Sequence, residues 1–178
     1  KTQECRKIME EVRKLPVKVF INNAGFGDCG SFFETDLSKE VEMIHVNIRA
    51  MHFLMKQMLC QMEKQGEGSI LTVASSAGLL PAGPYMATYY ATKSYVTSLT
   101  RAVALGLKEK KSNVYVGALC PGPVDTEFNK VANVEFAIPS ITPTYCASYA
   151  IRKMEKRKIV IVPKNKMKVL AFISRVLP

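Results

Sequence analysis

The chain has 178 residues, 48% apolar and 22% charged, an ordinary balance for one globular domain with a sizeable core. No apolar run reaches the ~18 residues that a membrane-spanning helix needs, so these residues hold no candidate transmembrane segment. The net charge of +10 is concentrated: residues 152–178 carry nine Lys/Arg against Glu155 alone, and residues 1–151 are nearly neutral, which argues against a basic nucleic-acid-binding domain.

Cys5, Cys29, Cys60, Cys120 and Cys146 are odd in number, scattered and without a C-x-x-C pair. That usage fits neither a disulfide scaffold nor a zinc site, and it points to a reducing cytoplasm. His45 and His52 share a predicted helix but lack partners at metal-ligand spacing, so no metal site is expected. Lys1 is neither an initiator Met nor the start of a signal peptide, and the expectation is a fragment or a processed product.

Residues 2–14 are charged, with Cys5, Ile8, Met9 and Val12 at amphipathic-helix spacing, and Pro16 ends that helix. Val17-Lys18-Val19-Phe20-Ile21 is a short, nearly continuous apolar run, as in a buried parallel strand. It runs into the small-residue turn Asn22-Asn23-Ala24-Gly25-Phe26-Gly27. Asp36 or Ser38 can cap the next helix, over about residues 39–65, which Gly66 and Gly68 end. Ser69-Ile70-Leu71-Thr72-Val73-Ala74 is a second strand, leading into Ser75-Ser76-Ala77-Gly78. A long helix is predicted from about Ala87 to Lys110. Val114-Tyr115-Val116-Gly117-Ala118-Leu119 is a third strand, ending in Cys120-Pro121-Gly122-Pro123. After an irregular stretch, 127–141, Thr142-Pro143 starts another helix. Ile159-Val160-Ile161-Val162 is a fourth strand, and 164–178 is a last helix. This alternation predicts a doubly wound, parallel α/β sheet with helices on both faces. All three motif turns follow strand C-termini and should meet at one sheet edge, where open α/β sheets bind ligands.

The long helix carries Tyr89-Tyr90-Ala91-Thr92-Lys93. Tyr and Lys four apart share a helix face. A free phenol titrates near ~10, and an adjacent ammonium favours the phenolate, so the spacing suits proton transfer. Tyr85 and Tyr90 lack a Lys at the fourth position onward.

Taken together the motifs resemble the short-chain dehydrogenase/reductase family. Asn22-Asn23-Ala24-Gly25 resembles the family's turn after its fourth strand, and Asn47 its mid-helix asparagine. Ser76 precedes Tyr89 by thirteen residues, the family spacing, and Pro121-Gly122-Pro123-Val124-Asp125-Thr126 resembles its Pro-Gly-x-Val-x-Thr stretch. The resemblance covers residues 17–163. It implies NAD or NADP as cofactor and a small-molecule carbonyl or alcohol substrate. Tyr89 is then the general acid or base, Lys93 lowers its pKa and holds the nicotinamide ribose, and Ser76 orients the carbonyl. Asn47 would hold a water linking Lys93 to solvent. Asn23, Ala24 and Gly25 line the adenosine side, and Pro121, Gly122, Val124 and Thr126 cradle the carboxamide. Phe128, Val131, Val134, Phe136 and Ile138 would lid an apolar substrate or simply cover the core. The family pairs the two long helices across a subunit interface, implying a homodimer or homotetramer.

The family also opens with a strand and a glycine-rich turn that seats the cofactor phosphates on a helix N-terminus. No such turn is present, so the chain resembles the C-terminal two thirds of a reductase, an N-terminally incomplete Rossmann-type domain. The alternative is a non-catalytic fragment or dimerising scaffold that cannot hold a dinucleotide. In the tail, Lys164, Lys166, Lys168 and Arg175 interleave with Met167, Val169, Leu170, Phe172, Ile173, Val176 and Leu177. Such a helix can lie on an anionic membrane surface or pack on its own domain or a partner subunit, and packing is the favoured reading.

Overall fold

Four short, largely apolar runs pair side by side. A computed structural model describes residues 2–134 and 138–176 and forms them into β1 (Val19–Asn22), β2 (Gly68–Val73), β3 (Val114–Leu119) and β4 (Val160–Ile161). The sheet is wholly parallel in the order β1-β2-β3-β4. Phe20 lies opposite Ile70, Ile70 opposite Val116 and Leu119 opposite Ile161. Between and after the strands run α1 (Thr2–Val12), α2 (Leu37–Ile44), α3 (Met51–Gln65), α4 (Ala87–Glu109), α5 (Phe128–Val131), α6 (Pro143–Glu155) and α7 (Asn165–Val176).

Successive strand residues point to opposite faces, and the core divides accordingly. Ile70, Val116 and Ala118 pack with Met55, Met58 and Met62 of α3 and Val96 of α4. Leu71, Leu119 and Ile161 pack on the other face with Cys146 and Ala150 of α6. Over β1 that second face is open. Val19 and Ile21, in register with Ser69 and Leu71, are 48% and 50% exposed.

Local chemistry accounts for the helix starts. Asp36 caps α2 by accepting from Ser38 N–H, and Thr142 caps α6 by accepting from Tyr145 N–H ahead of Pro143. The expected single helix over 39–65 is instead interrupted by a π-helical turn, His45–Ala50. Its Asn22 neighbour donates a side-chain N–H to the Met51 carbonyl at 3.0 Å. The irregular stretch contains one short helix, α5. Of the apolar residues expected there, Phe136 lies outside the described residues. The tail helix packs on its own domain, as favoured: Met167 is buried in the main core, with Ala171 against it. Leu177 lies outside the described residues, as do the side chains of Arg175 and Val176. The five thiols are all free, and no described helix is long and apolar enough to cross a membrane.

Candidate active site

The turns after β1, β2 and β3 meet at the C-terminal edge of the sheet, as the topology predicts, and enclose a cavity of about 520 Å³. Asn23 and Gly25 reach it from the first turn, Ser75 and Ser76 from the second, Pro121, Gly122, Val124 and Thr126 from the third, and Tyr89 and Lys93 from α4. Ala24 is exposed outside it, and Asn47 is buried behind it.

Tyr89 and Lys93 sit one turn apart on α4, 7% and 5% exposed. The Lys93 ammonium lies 5.8 Å from the centre of the Tyr89 ring and donates to the Val73 carbonyl at 3.0 Å. Burial pushes the Tyr89 phenol up to about 12, a side-chain hydrogen bond from Ser75 opposes this, and nearby Tyr90 adds to it. Burial also pulls Lys93 down to about 8, with Cys120 acting in the opposite direction. The expected lowering of Tyr89 by Lys93 is therefore not found: desolvation sets the direction, and Ser75, not Lys93, opposes it. At neutral pH the phenol keeps its proton and the amine beside it remains mostly charged. That is the protonation state of a proton donor.

Ser75 and Ser76 both line the cavity beside Tyr89. Ser75, extended and N-capping the short 3-10 turn Ser76–Gly78, accepts from Ala77 N–H at 3.1 Å. Ser75 also acts on the Tyr89 phenol, opposing the effect of burial. Ser76 lines the same cavity, but its main chain is tied to the third turn, its N–H donating to the Pro121 carbonyl at 2.7 Å. Counting thirteen residues back from Tyr89 selects Ser76, whereas Ser75 is the serine that acts on the Tyr89 pKa.

Asn47 lies in the π turn and is 1% exposed. Its amide donates to the Phe26 carbonyl at 2.8 Å and to Thr92 Oγ1 at 3.1 Å, while its oxygen accepts from Phe26 N–H at 3.1 Å. Thr92 Oγ1 in turn donates to the Tyr89 carbonyl at 2.8 Å. Asn47 thus ties the first turn to the helix that carries Tyr89 and Lys93. Thr92 is a member of this network that pattern reading missed, because a Thr on a helix carries no distinctive spacing.

Gly25 owes its identity to this contact. A Cβ there would stand 2.9 Å from Asn47 Oδ1 and 3.2 Å from Lys93 Nζ. The crowding it relieves in the structure is with these two side chains. Thr126 accepts from Phe128 N–H at 3.3 Å, and Val124 bridges to Ile141, so both help build the third wall. The remainder of the cavity is apolar, with Leu80, Met86, Phe128, Ile138, Met167 and Leu170 among its lining residues. Val131 and Val134 flank Phe128 without lining it.

A nicotinamide dinucleotide is the group this arrangement implies, and the residues fit one end of it. A donor phenol, a buried ammonium and a groove kept open by a glycine face a common cavity. For the phosphates, the described residues offer no glycine-rich strand-to-helix turn. Nor could any group of three His, Cys, Asp or Glu among them hold a metal ion.

Residues 1–135 match the family model described as short chain dehydrogenase. The chain belongs to the short-chain dehydrogenase family of oxidoreductases. Among its relatives is an uncharacterized oxidoreductase of Thermotoga maritima, 32% identical over 130 residues, which span 70% of this chain and 51% of that protein. A short-chain dehydrogenase from Sphingobium yanoikuyae, solved in complex with NADPH, superposes with a TM-score of 0.84 at 22% identity, over 99% of this chain and 71% of that one. A family member from Burkholderia phymatum in complex with NAD gives 0.80 at 23% identity, over 90% and 66%. The chain spans about half the length of the curated relatives it matches.

Proposed function

We propose that the protein is an NAD- or NADP-dependent oxidoreductase that reduces a small, apolar carbonyl compound, or oxidises the corresponding secondary alcohol. One observation carries this reading: the buried Tyr89, with Lys93 one helical turn behind it, faces one cavity at the strand ends together with Ser75 and Ser76. The cofactor supplies the hydride. The chain's own residues manage the oxygen. Ser75 donates to the carbonyl oxygen and holds it near Tyr89, which gives its proton to the developing alkoxide. Lys93, charged below about 8, stabilises the phenolate left behind and restores its proton. It would also hold the nicotinamide ribose. Asn47 keeps the first turn and α4 in register, and a water beside it would link Lys93 to solvent. Asn23, Ala24 and Gly25 would border the adenosine side, and Pro121, Gly122, Val124 and Thr126 the carboxamide.

The apolar wall around Phe128 and Ile138 suits a substrate without charge, since a carboxylate or ammonium there would meet almost no polar partner. A homodimer or homotetramer is supported by the outward faces of the long helices, where Val41, Ile44, Tyr95 and Leu105 are exposed. Five free thiols fit a cytoplasmic setting. The alternative, a non-catalytic scaffold, draws on the absence of a phosphate-holding turn among the described residues.

The test is NAD(P)H consumption by the full-length protein against a series of apolar ketones. Ser75→Ala should lower kcat by roughly 10²-fold, as loss of one preorganised donor does, while Ser76→Ala stays within a few-fold of wild type. The reverse order would return the role to Ser76. No turnover with any ketone or secondary alcohol would favour the scaffold.

A further inference from the structure

Helix α7 has two apolar faces. The inner one packs: Met167 is 5% exposed and walls the catalytic cavity together with Leu170. The outer one carries Val169, Phe172 and Ile173, which are 56%, 70% and 43% exposed. Helical spacing sets these three in one stripe and places Lys166 and Lys168, both exposed, along its two borders. Residues 164–178 contain four Lys/Arg and no Asp or Glu. The stripe is also continuous with the cavity mouth, because Leu170 and Ile138 line the cavity while remaining 40% and 41% exposed. The Lys164 ammonium, which donates to the Pro139 carbonyl at 3.3 Å, pins the start of this segment beside the same mouth.

We propose that the outer face of α7 seats the protein on an anionic lipid bilayer, and that the cavity draws its apolar substrate from that bilayer. An apolar stripe bordered by lysines is the geometry of a helix lying in the headgroup region: Phe172 and Val169 enter the acyl boundary and the lysines pair with lipid phosphates and carboxylates. Complementary charge selects this occupant, since a stripe meant for another protein's core would gain nothing from an acid-free basic border. The cavity is apolar on the side that α7 walls, so a substrate dissolved in the membrane passes from one apolar surface to another. This second part rests on the proposed carbonyl reduction; the docking itself does not.

The experiment uses the full-length protein and unilamellar vesicles of phosphatidylcholine, with and without phosphatidylserine. Cosedimentation should occur with the phosphatidylserine vesicles and be released by high salt. Lys166→Glu with Lys168→Glu should weaken it roughly tenfold or more. Phe172→Ser should weaken it several-fold without changing the salt dependence. These positions line no part of the cavity, and far-UV circular dichroism should match wild type. Turnover is then compared for a long-chain ketone held in the vesicles and a short-chain ketone in water: the variants should slow only the former. Wild-type protein that ignores anionic vesicles, or variants that bind them equally well, would overturn the docking. A change in sedimentation velocity in place of vesicle binding would make the face a subunit contact and overturn it likewise. If neither ketone reacts with wild type, the proposed chemistry fails while cosedimentation still decides the docking.

Discussion

Lys93 is held in a place that costs stability. An ammonium that is 5% exposed gives up its hydration, and the donation to the Val73 carbonyl returns only part of it. Its pKa falls from 10.5 to about 8, so the penalty is complete below about 8 and disappears as pH rises toward 10.5. Lys93→Met should therefore make the folded protein more stable at pH 7, by about 1–3 kcal/mol, and the difference from wild type should shrink between pH 8 and 10. Urea denaturation at several pH values measures it, and a variant less stable at pH 7 would refute it. Tyr89 and Cys120, raised to about 12 and about 11, act with the opposite sign at higher pH, which is why the comparison is made against wild type. The Tyr-Lys pair was legible in the sequence because helical spacing is periodic. Burial was not. A side chain's desolvation depends on what packs over it from elsewhere, here Phe128 and the turn at Gly25. The choice between Ser75 and Ser76 is illegible for a related reason: adjacent serines in one turn reach the same cavity, and residue counting does not contain the direction of a hydroxyl.

At the scale of elements, the interruption between α2 and α3 matters most. The apolar stripe over 39–65 predicts one helix, and stripe and caps are both present; the π turn is a local widening that periodicity hides. It falls on Asn47, whose three hydrogen bonds reach the first turn and α4. Asn47→Ala leaves the Phe26 N–H and carbonyl without these partners and should cost about 2–4 kcal/mol. Hydrogen exchange should then speed up at residues 23–27 and at the start of α4, while β2 and β3 stay protected. Uniform acceleration across the sheet would contradict this local role. The strand–turn junctions were readable throughout, since each apolar run ends in small or turn-forming residues. The short helix α5 was not, because four residues leave no periodicity to detect.

For the whole molecule, the parallel sheet and the convergence of its turns followed from the alternation of strands and helices alone. The open face of β1 did not. Val19 and Ile21 read as buried strand residues, and they stand about half exposed beside the edge where the family places its glycine-rich unit. These 178 residues by themselves should show no saturable NAD(P)H binding by fluorescence titration, because the described residues offer no glycine-rich turn for the phosphates. Tight binding would mean that a second phosphate site exists. The central proposal is that the sheet edge makes Tyr89 a proton donor to a bound carbonyl oxygen. Its most direct test is Tyr89→Phe in the full-length protein, measured as kcat beside NAD(P)H affinity. The prediction is a loss of turnover of roughly 10³-fold or more with cofactor affinity changed by no more than a few-fold. Turnover retained within tenfold of wild type would contradict it.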